Sequence, residues 1–245
     1  RQFAVEPYGG VLLPSWFDRD LALAGRVGLA EGEQPRTVLV DLRRALARIP
    51  NLAIHLQREL RSEGLKLNEQ GHLPPVTGLE AGPVLCDLLL EELEAQGEDS
   101  LDADDILGFD LMLYDLQPAA IGGASGEFVF SGRLDNLAST HAALSALLRA
   151  GQRGATAPFT RVVALHDHEE VGSRSASGAA GSFLGDVLAR VASLVSGGDP
   201  EAFVRTIARS FAVSADMAHA VPPNYADRHE PGHRPVVGGG PVLKR

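Results

Sequence analysis

The sequence predicts an α/β fold: a mixed or largely parallel sheet flanked by helices. Two observations carry that prediction. Apolar runs and helical stripes alternate through the second half in the order strand, helix, strand, helix, strand. Acidic residues stand just past the apolar runs: Asp135 after Phe128–Phe130, Glu169 and Glu170 after Arg161–Leu165, and Asp216 after Phe211–Val213. In an open α/β sheet the ligand crevice lies outside the carboxyl ends of the strands. Those three points are therefore where function is to be sought.

The chain of 245 residues can bury a real core as one large or two small domains, and 44% hydrophobic with 22% charged residues is ordinary for a soluble globular protein. A net charge of −10 argues against nucleic acid and anionic membranes as partners. The single cysteine, Cys86, excludes an intramolecular disulfide and fits a reducing, cytoplasmic compartment. No apolar run approaches the roughly 18 residues of a membrane-spanning helix.

In the first half, Gly9-Gly10 marks a turn and Trp16-Phe17 reads as a packing anchor. Asp18, Arg19 and Asp20 read as a local ion-pair cluster. Val38, Val40 and Leu42 alternate with more polar neighbours, which predicts a half-buried strand over 37–44. Beyond Pro50 a helical or extended segment carries His55, and on its apolar background a histidine is most often a hydrogen-bonded core residue. Residues 62–82 read as a loop. Val84, Leu85, Leu88 and Leu89 with the Glu91-Glu92-Leu93-Glu94 run predict a helix with an acidic, solvated face. Phe109, Leu111 and Leu113 alternate as a further strand.

The second half begins with a short strand at Phe128–Phe130, then a helix with Leu137, Leu144, Leu147 and Leu148 on one stripe, ending at Gly151. The apolar run Arg161–Leu165 predicts a buried strand leading into Glu169-Glu170. Phe183, Leu184, Val187, Leu188, Val191, Leu194 and Val195 recur at helical spacing. Asp199-Pro200-Glu201 reads as the start of one more helix, and Phe211–Val213 as the last strand.

If those strands share a sheet, Asp135, Glu169-Glu170 and Asp216 converge on one crevice. Carboxylates gathered without basic partners repel, so a bound divalent metal is the natural neutraliser. Neighbouring residues at a strand end point different ways, so one glutamate can bind the metal while the other faces its water as a base. A phosphate-binding reading of Gly172, Ser173 and Gly178 is weak, because the Gly-x-x-x-x-Gly-Lys arrangement is absent there.

Ser131-Gly132-Arg133-Leu134-Asp135-Asn136, Asp167-His168-Glu169-Glu170-Val171-Gly172-Ser173 and Ser214-Ala215-Asp216-Met217-Ala218-His219 resemble the motifs of the aspartyl aminopeptidases. Tyr8-Gly9-Gly10, Trp16–Leu21, Asn51–Leu56, Pro223–Tyr225, His233–Pro235 and Gly240–Lys244 extend the likeness over nearly the whole chain. The resemblance implies a zinc-peptidase-like fold with a β-rich oligomerisation domain inserted at 9–128. Residues 129–245, joined by 1–8, would then be part of the catalytic domain.

It further implies two zinc ions per subunit, bridged by Asp135, with Glu170 on one and Asp216 on the other. Glu169 would be the general base on the bridging water. Lys244 would face the acidic side chain of a peptide whose N-terminal residue is Asp or Glu, and His219 would line the same pocket. His55 would reach a neighbouring subunit's active site, which displaces the core-histidine reading. The assembly implied is a homo-oligomer, dimers building a dodecamer, with no nucleic acid or membrane partner.

Two departures qualify the likeness. Pro222 stands where the family usually has a histidine. The family also takes one zinc-ligating histidine from upstream of Tyr8 and one from beyond the region matched here. None of the eight histidines present sits in an obvious substitute position. The expectation is therefore a fragment of a longer protein. The alternative is a non-catalytic assembly or binding subunit that keeps the fold with incomplete metal sites.

Overall fold

The structure is a computed structural model describing residues 1–32, 34–152 and 158–244. The chain divides into two compact units, Arg1–Phe130 and Ser131–Arg245.

The first unit is organised on strand β1 (Leu21–Glu31), which pairs antiparallel with β2 (Gln34–Asp41) on one side. Two one-turn helices, α1 (Leu60–Glu63) and α2 (Glu69–His72), interrupt the stretch that reads as loop in sequence. The second is capped by Asn68, whose Oδ1 accepts the Gly71 N–H at 2.7 Å. Helix α3 (Leu85–Ala95) begins where Asp87 Oδ2 accepts the Val84 N–H at 2.8 Å. Strand β3 (Ile106–Asp115) then completes a three-stranded antiparallel sheet in the order β2-β1-β3. A separate hairpin pairs β4 (Ala120–Gly122) with β5 (Phe128–Phe130).

The central strand is the element the sequence reading passes over. Its odd positions are Leu21, Leu23, Gly25, Val27 and Leu29, a period-2 core face, but Ala22, Ala24, Gly28 and Ala30 between them are too apolar to mark an outer face. Gly25 has a packing reason. It pairs with both Val40 and Leu111, and a Cβ there would collide with the Asp110 carbonyl oxygen.

Burial follows from α3 lying on this sheet. Leu89 and Leu93 are fully buried with Val27, Leu29 and Val40, and Leu88 packs with Leu23 and Leu42. Trp16 and Phe17 do anchor, against Leu21, Ala47 and Ile49. Polar groups bind the strands at their margins. Arg36 on β2 makes a two-pronged bond to Glu98 past α3, at 2.7 and 2.6 Å. The Tyr114 hydroxyl on β3 donates to Asp41 Oδ1 on β2 at 2.6 Å. Asp18, Arg19 and Asp20 do form ion pairs and hydrogen bonds, but with distant partners: Arg19 with Asp115, Asp20 with Arg48, and Asp18 with the Asn51 amide. Residues 1–3 also pair within this unit, through Phe3 N–H to Pro75 O at 3.2 Å and Thr77 N–H to Arg1 O at 3.1 Å.

The second unit holds α4 (Leu134–Gln152), α5 (Phe183–Val195) and α6 (Ala202–Ala208), with α5 packed on α6. Asp199 Oδ1 takes the Glu201 N–H at 2.9 Å, but α6 begins only at Ala202, so Glu201 and not Asp199 holds the cap position. The α/β class expected from sequence holds, as small sheets with helices, but no parallel ladder is present among the described residues. Among the described residues both sheets are antiparallel, and Arg161–Leu165 and Phe211–Val213 pair with no strand. An apolar run sets a propensity, whereas a strand exists only where its amide and carbonyl groups meet a ladder partner. Phe211 is accordingly 90% exposed and Val213 76%. The stripe of α5 is likewise unburied, and Ala202 is the only buried apolar side chain among the described residues of this unit.

Candidate functional site

Asp135 sits in the first turn of α4, where its backbone (φ −84°, ψ 111°) and that of Asn136 are non-helical and the Asp135–Asn136 peptide bond is cis. The turn is tied across the unit by Asn136, whose Nδ2 donates to the Ala215 carbonyl at 3.0 Å. That bond brings Ser214-Ala215-Asp216 beside Asp135, although 79 residues separate the bonded positions. Sequence reasoning passed over Asn136; an asparagine next to an acid at a helix start is the available signal.

Lys244 completes the cluster. Its Nζ donates to Asp216 Oδ2 at 3.0 Å and to the Met217 carbonyl at 3.2 Å. The ammonium holds the Asp216 carboxyl below the usual carboxylate range. Burial pushes the other way, and Asp135 and the Met217 amide add smaller lowering effects. The structure thus gathers Asp135, Asp216 and Lys244.

Glu169 and Glu170 open a single 3-10 turn, Glu169–Val171, with both side chains exposed. The turn is entered through His168 in the left-handed conformation and left through Gly172 at φ +92°. A shallow cleft of about 340 Å³, lined by Leu165, His166, Asp167, Ala176, Ser177 and Phe183, adjoins it. His219 Nδ1 lies 3.3 Å from His229 Nε2 with the rings edge to face, and His233 is bonded to Glu230 at 2.6 Å. His55 lies in the first unit, exposed on the 3-10 turn Ile54–Leu56. It is no core histidine. Pro222 is the extended residue that precedes the 3-10 segment Pro223–Arg228.

Whether these residues suit zinc can be asked of the donors themselves. Zinc is a borderline-soft ion that takes carboxylate oxygen alongside nitrogen or sulfur donors. Asp135 and Asp216 supply the oxygen part of such a set, while in this structure Lys244 is the cation that stands by Asp216. Among the described residues no group of three or more His, Cys, Asp or Glu forms a metal-binding set, so Glu170 is not gathered with them. The expected convergence of all three acidic points is met by two.

Comparison with known proteins agrees over the whole chain. The family model described as "Aminopeptidase I zinc metalloprotease (M18)" matches residues 1–245. A "Probable M18 family aminopeptidase 2" of Azotobacter vinelandii is 47% identical over 99% of this chain and 54% of its own length. Its namesake in Streptomyces coelicolor is 46% identical over 100% of this chain and 55% of its own. The chain therefore spans about half the length of the curated relatives it matches. Among solved structures, one titled "Cryo-EM structure of the Ape4 and Nbr1 complex" superposes with a TM-score of 0.81 at 38% identity, covering 96% of this chain and 47% of that one. The "Structure of Chaetomium thermophilum mApe1" gives 0.77 at 36%, covering 96% and 56%. The "Structure of S. cerevesiae mApe1 dodecamer" gives 0.72 at 28%, covering 96% and 52%.

Proposed function

Because the chain belongs to the aminopeptidase I zinc metalloprotease (M18) family, we propose that it serves a metallo-aminopeptidase removing N-terminal Asp or Glu from peptides. The observation that carries the reading is the meeting of Asp135 and Asp216, under Lys244, at a helix start. Asp135, Asp216 and Glu170 are the proposed metal ligands, for two zinc ions per subunit. Zinc bound there would make a water acidic enough to ionise near neutral pH and would polarise the scissile carbonyl.

The chain's own residues do the rest. Glu169 takes the proton of the attacking water and returns it to the leaving amine. Lys244 is charged and exposed. In this structure it pairs with Asp216; a metal held by that carboxylate would leave the ammonium free to pair with the acidic side chain at the peptide N-terminus. His219 lines that pocket, and His55 serves a neighbouring subunit. Homo-oligomer formation, by dimers and up to a dodecamer, is supported by the dodecameric relative. The insert at 9–128 would be its interface. No described helix is long and apolar enough to cross a membrane, and we place the protein in the cytoplasm on its single cysteine.

A second reading, a non-catalytic assembly subunit of the same fold, is favoured by one observation: no three ligands stand together among the described residues. Metal content separates the two. About two zinc per subunit is expected for the enzyme, and none for the assembly subunit. Glu169→Gln should abolish turnover and spare zinc; zinc loss in that variant would sink its role as base. Lys244→Ala should depress hydrolysis of Asp-peptides far more than of Leu-peptides, and equal losses would count against the acidic pocket.

A further inference from the structure

We propose that His168, anchored by Ser175, is a positioning residue that holds the Glu169–Glu170 turn in the pose a general base needs; this rests on the reading of Glu169 given above. Within the turn the Gly172 N–H bonds to the Glu169 carbonyl at 2.9 Å. The turn is three residues long, and none of its side chains is buried. Its backbone enters left-handed at His168 (φ 62°, ψ 28°) and leaves left-handed at Gly172 (φ 92°) and Ser173 (φ 60°). A left-handed non-glycine residue persists only where its surroundings determine it.

At His168 those surroundings are visible. Its carbonyl accepts the Ser173 N–H at 2.8 Å and the Val171 N–H at 3.3 Å. Its ring Nδ1 is hydrogen-bonded to Ser175 Oγ at 2.5 Å, with Ser177 Oγ at 3.4 Å. A second tier closes the loop. Asp167 N–H reaches Ser177 O at 3.1 Å, and Ala180 N–H reaches Ser173 O at 3.0 Å. Gly178 is buried against the Ser173 backbone, where a Cβ would collide. One imidazole thus links the residue that launches the turn to the strand of chain folded back over it. Glu169 is its immediate neighbour, so rotation at His168 re-aims the carboxylate directly. A misplacement of about 1 Å can cost a catalytic group about 100-fold.

The test uses the full-length, zinc-loaded protein and a peptide with N-terminal Asp. His168→Gly leaves the left-handed backbone free and removes the ring. Ser175→Ala removes the anchor alone. His168→Asn keeps a side chain that tolerates the left-handed region and offers an amide for Ser175. We expect kcat to fall about 10- to 100-fold in the first two with KM and zinc content unchanged, and to recover to within about fivefold in His168→Asn. Hydrogen exchange at the Ser173 and Ala180 amides should quicken in the first two and not in the third. Wild-type kcat and exchange in both His168→Gly and Ser175→Ala would overturn the proposal. So would a loss of zinc in step with kcat, which would make the ring a support of the metal site instead. Retained turnover in Glu169→Gln, run beside them, would overturn the base assignment itself and is told apart by that variant alone.

Discussion

Leu89→Ala tests whether α3 on the sheet carries the first unit. Leu89 is fully buried among Val27, Leu29, Val40 and Leu93. The substitution removes three carbons at about 0.8 kcal/mol each and leaves a cavity whose walls relax only partly, so the expected cost is about 3–4 kcal/mol. The assay is built into the chain. Trp16 is the only tryptophan, and it packs on Leu21, Ala47 and Ile49 in the same unit. Its fluorescence therefore reports unfolding of this unit. With a urea slope of about 2 kcal/mol per M, the midpoint should drop by about 1.5–2 M. Leu79→Ala is the control, since Leu79 is 87% exposed in a loop; it should cost under about 0.5 kcal/mol. A Leu89→Ala loss below about 1 kcal/mol, or one matched by the control, would refute the packing argument.

Other consequences are open to direct measurement. Gly25→Ala should destabilise the same unit by more than about 2 kcal/mol through its clash with the Asp110 carbonyl. Gly28→Ala, whose nearest neighbour would be Gly108 O at 3.6 Å, should cost far less, and similar melting curves would refute the distinction. Burial pushes the Asp41 carboxyl up, but bonds from Tyr114 and Arg43 outweigh it and leave it below its ordinary value. A depressed carboxylate contributes stability above its unfolded value, near pH 4, and loses that contribution as pH falls through the folded value. The stability gap between wild type and Tyr114→Phe, measured at pH 6, should therefore narrow toward pH 2; a constant gap would exclude the linkage. Chelation of metal should abolish peptidase activity without moving the Trp16-detected midpoint, because every proposed ligand lies in the second unit. A shifted midpoint would mean that the first unit itself binds metal.

The acidic points were legible in sequence because each stands next to an apolar run, and charge at such a place needs a reason. Which of them meet was not legible. Asp135 and Asp216 are joined by one long-range bond from Asn136, and no local pattern announces a bond across 79 residues. For Lys244 the family resemblance implies a place facing the substrate's acidic side chain. In the structure it lies on Asp216, because the carboxylate is the anion its ammonium reaches. His168 and Ser175 stand seven residues apart within one loop. Only the left-handed backbone at His168 shows why the pair matters.

Local pattern alone determined α3, α5, the strand β3, the Val38–Val40 part of β2 and the turn at Gly9, since each is set by side-chain periodicity or turn chemistry within a few residues. Pairing was decided by the tertiary structure alone. It made the blurred, alanine- and glycine-rich segment Leu21–Glu31 the central strand, by supplying partners on both sides. It left the more apolar Arg161–Leu165 and Phe211–Val213 without any among the described residues. The physical reason is that a helix satisfies its backbone from within. A strand must borrow its hydrogen bonds from residues that sequence distance does not reveal.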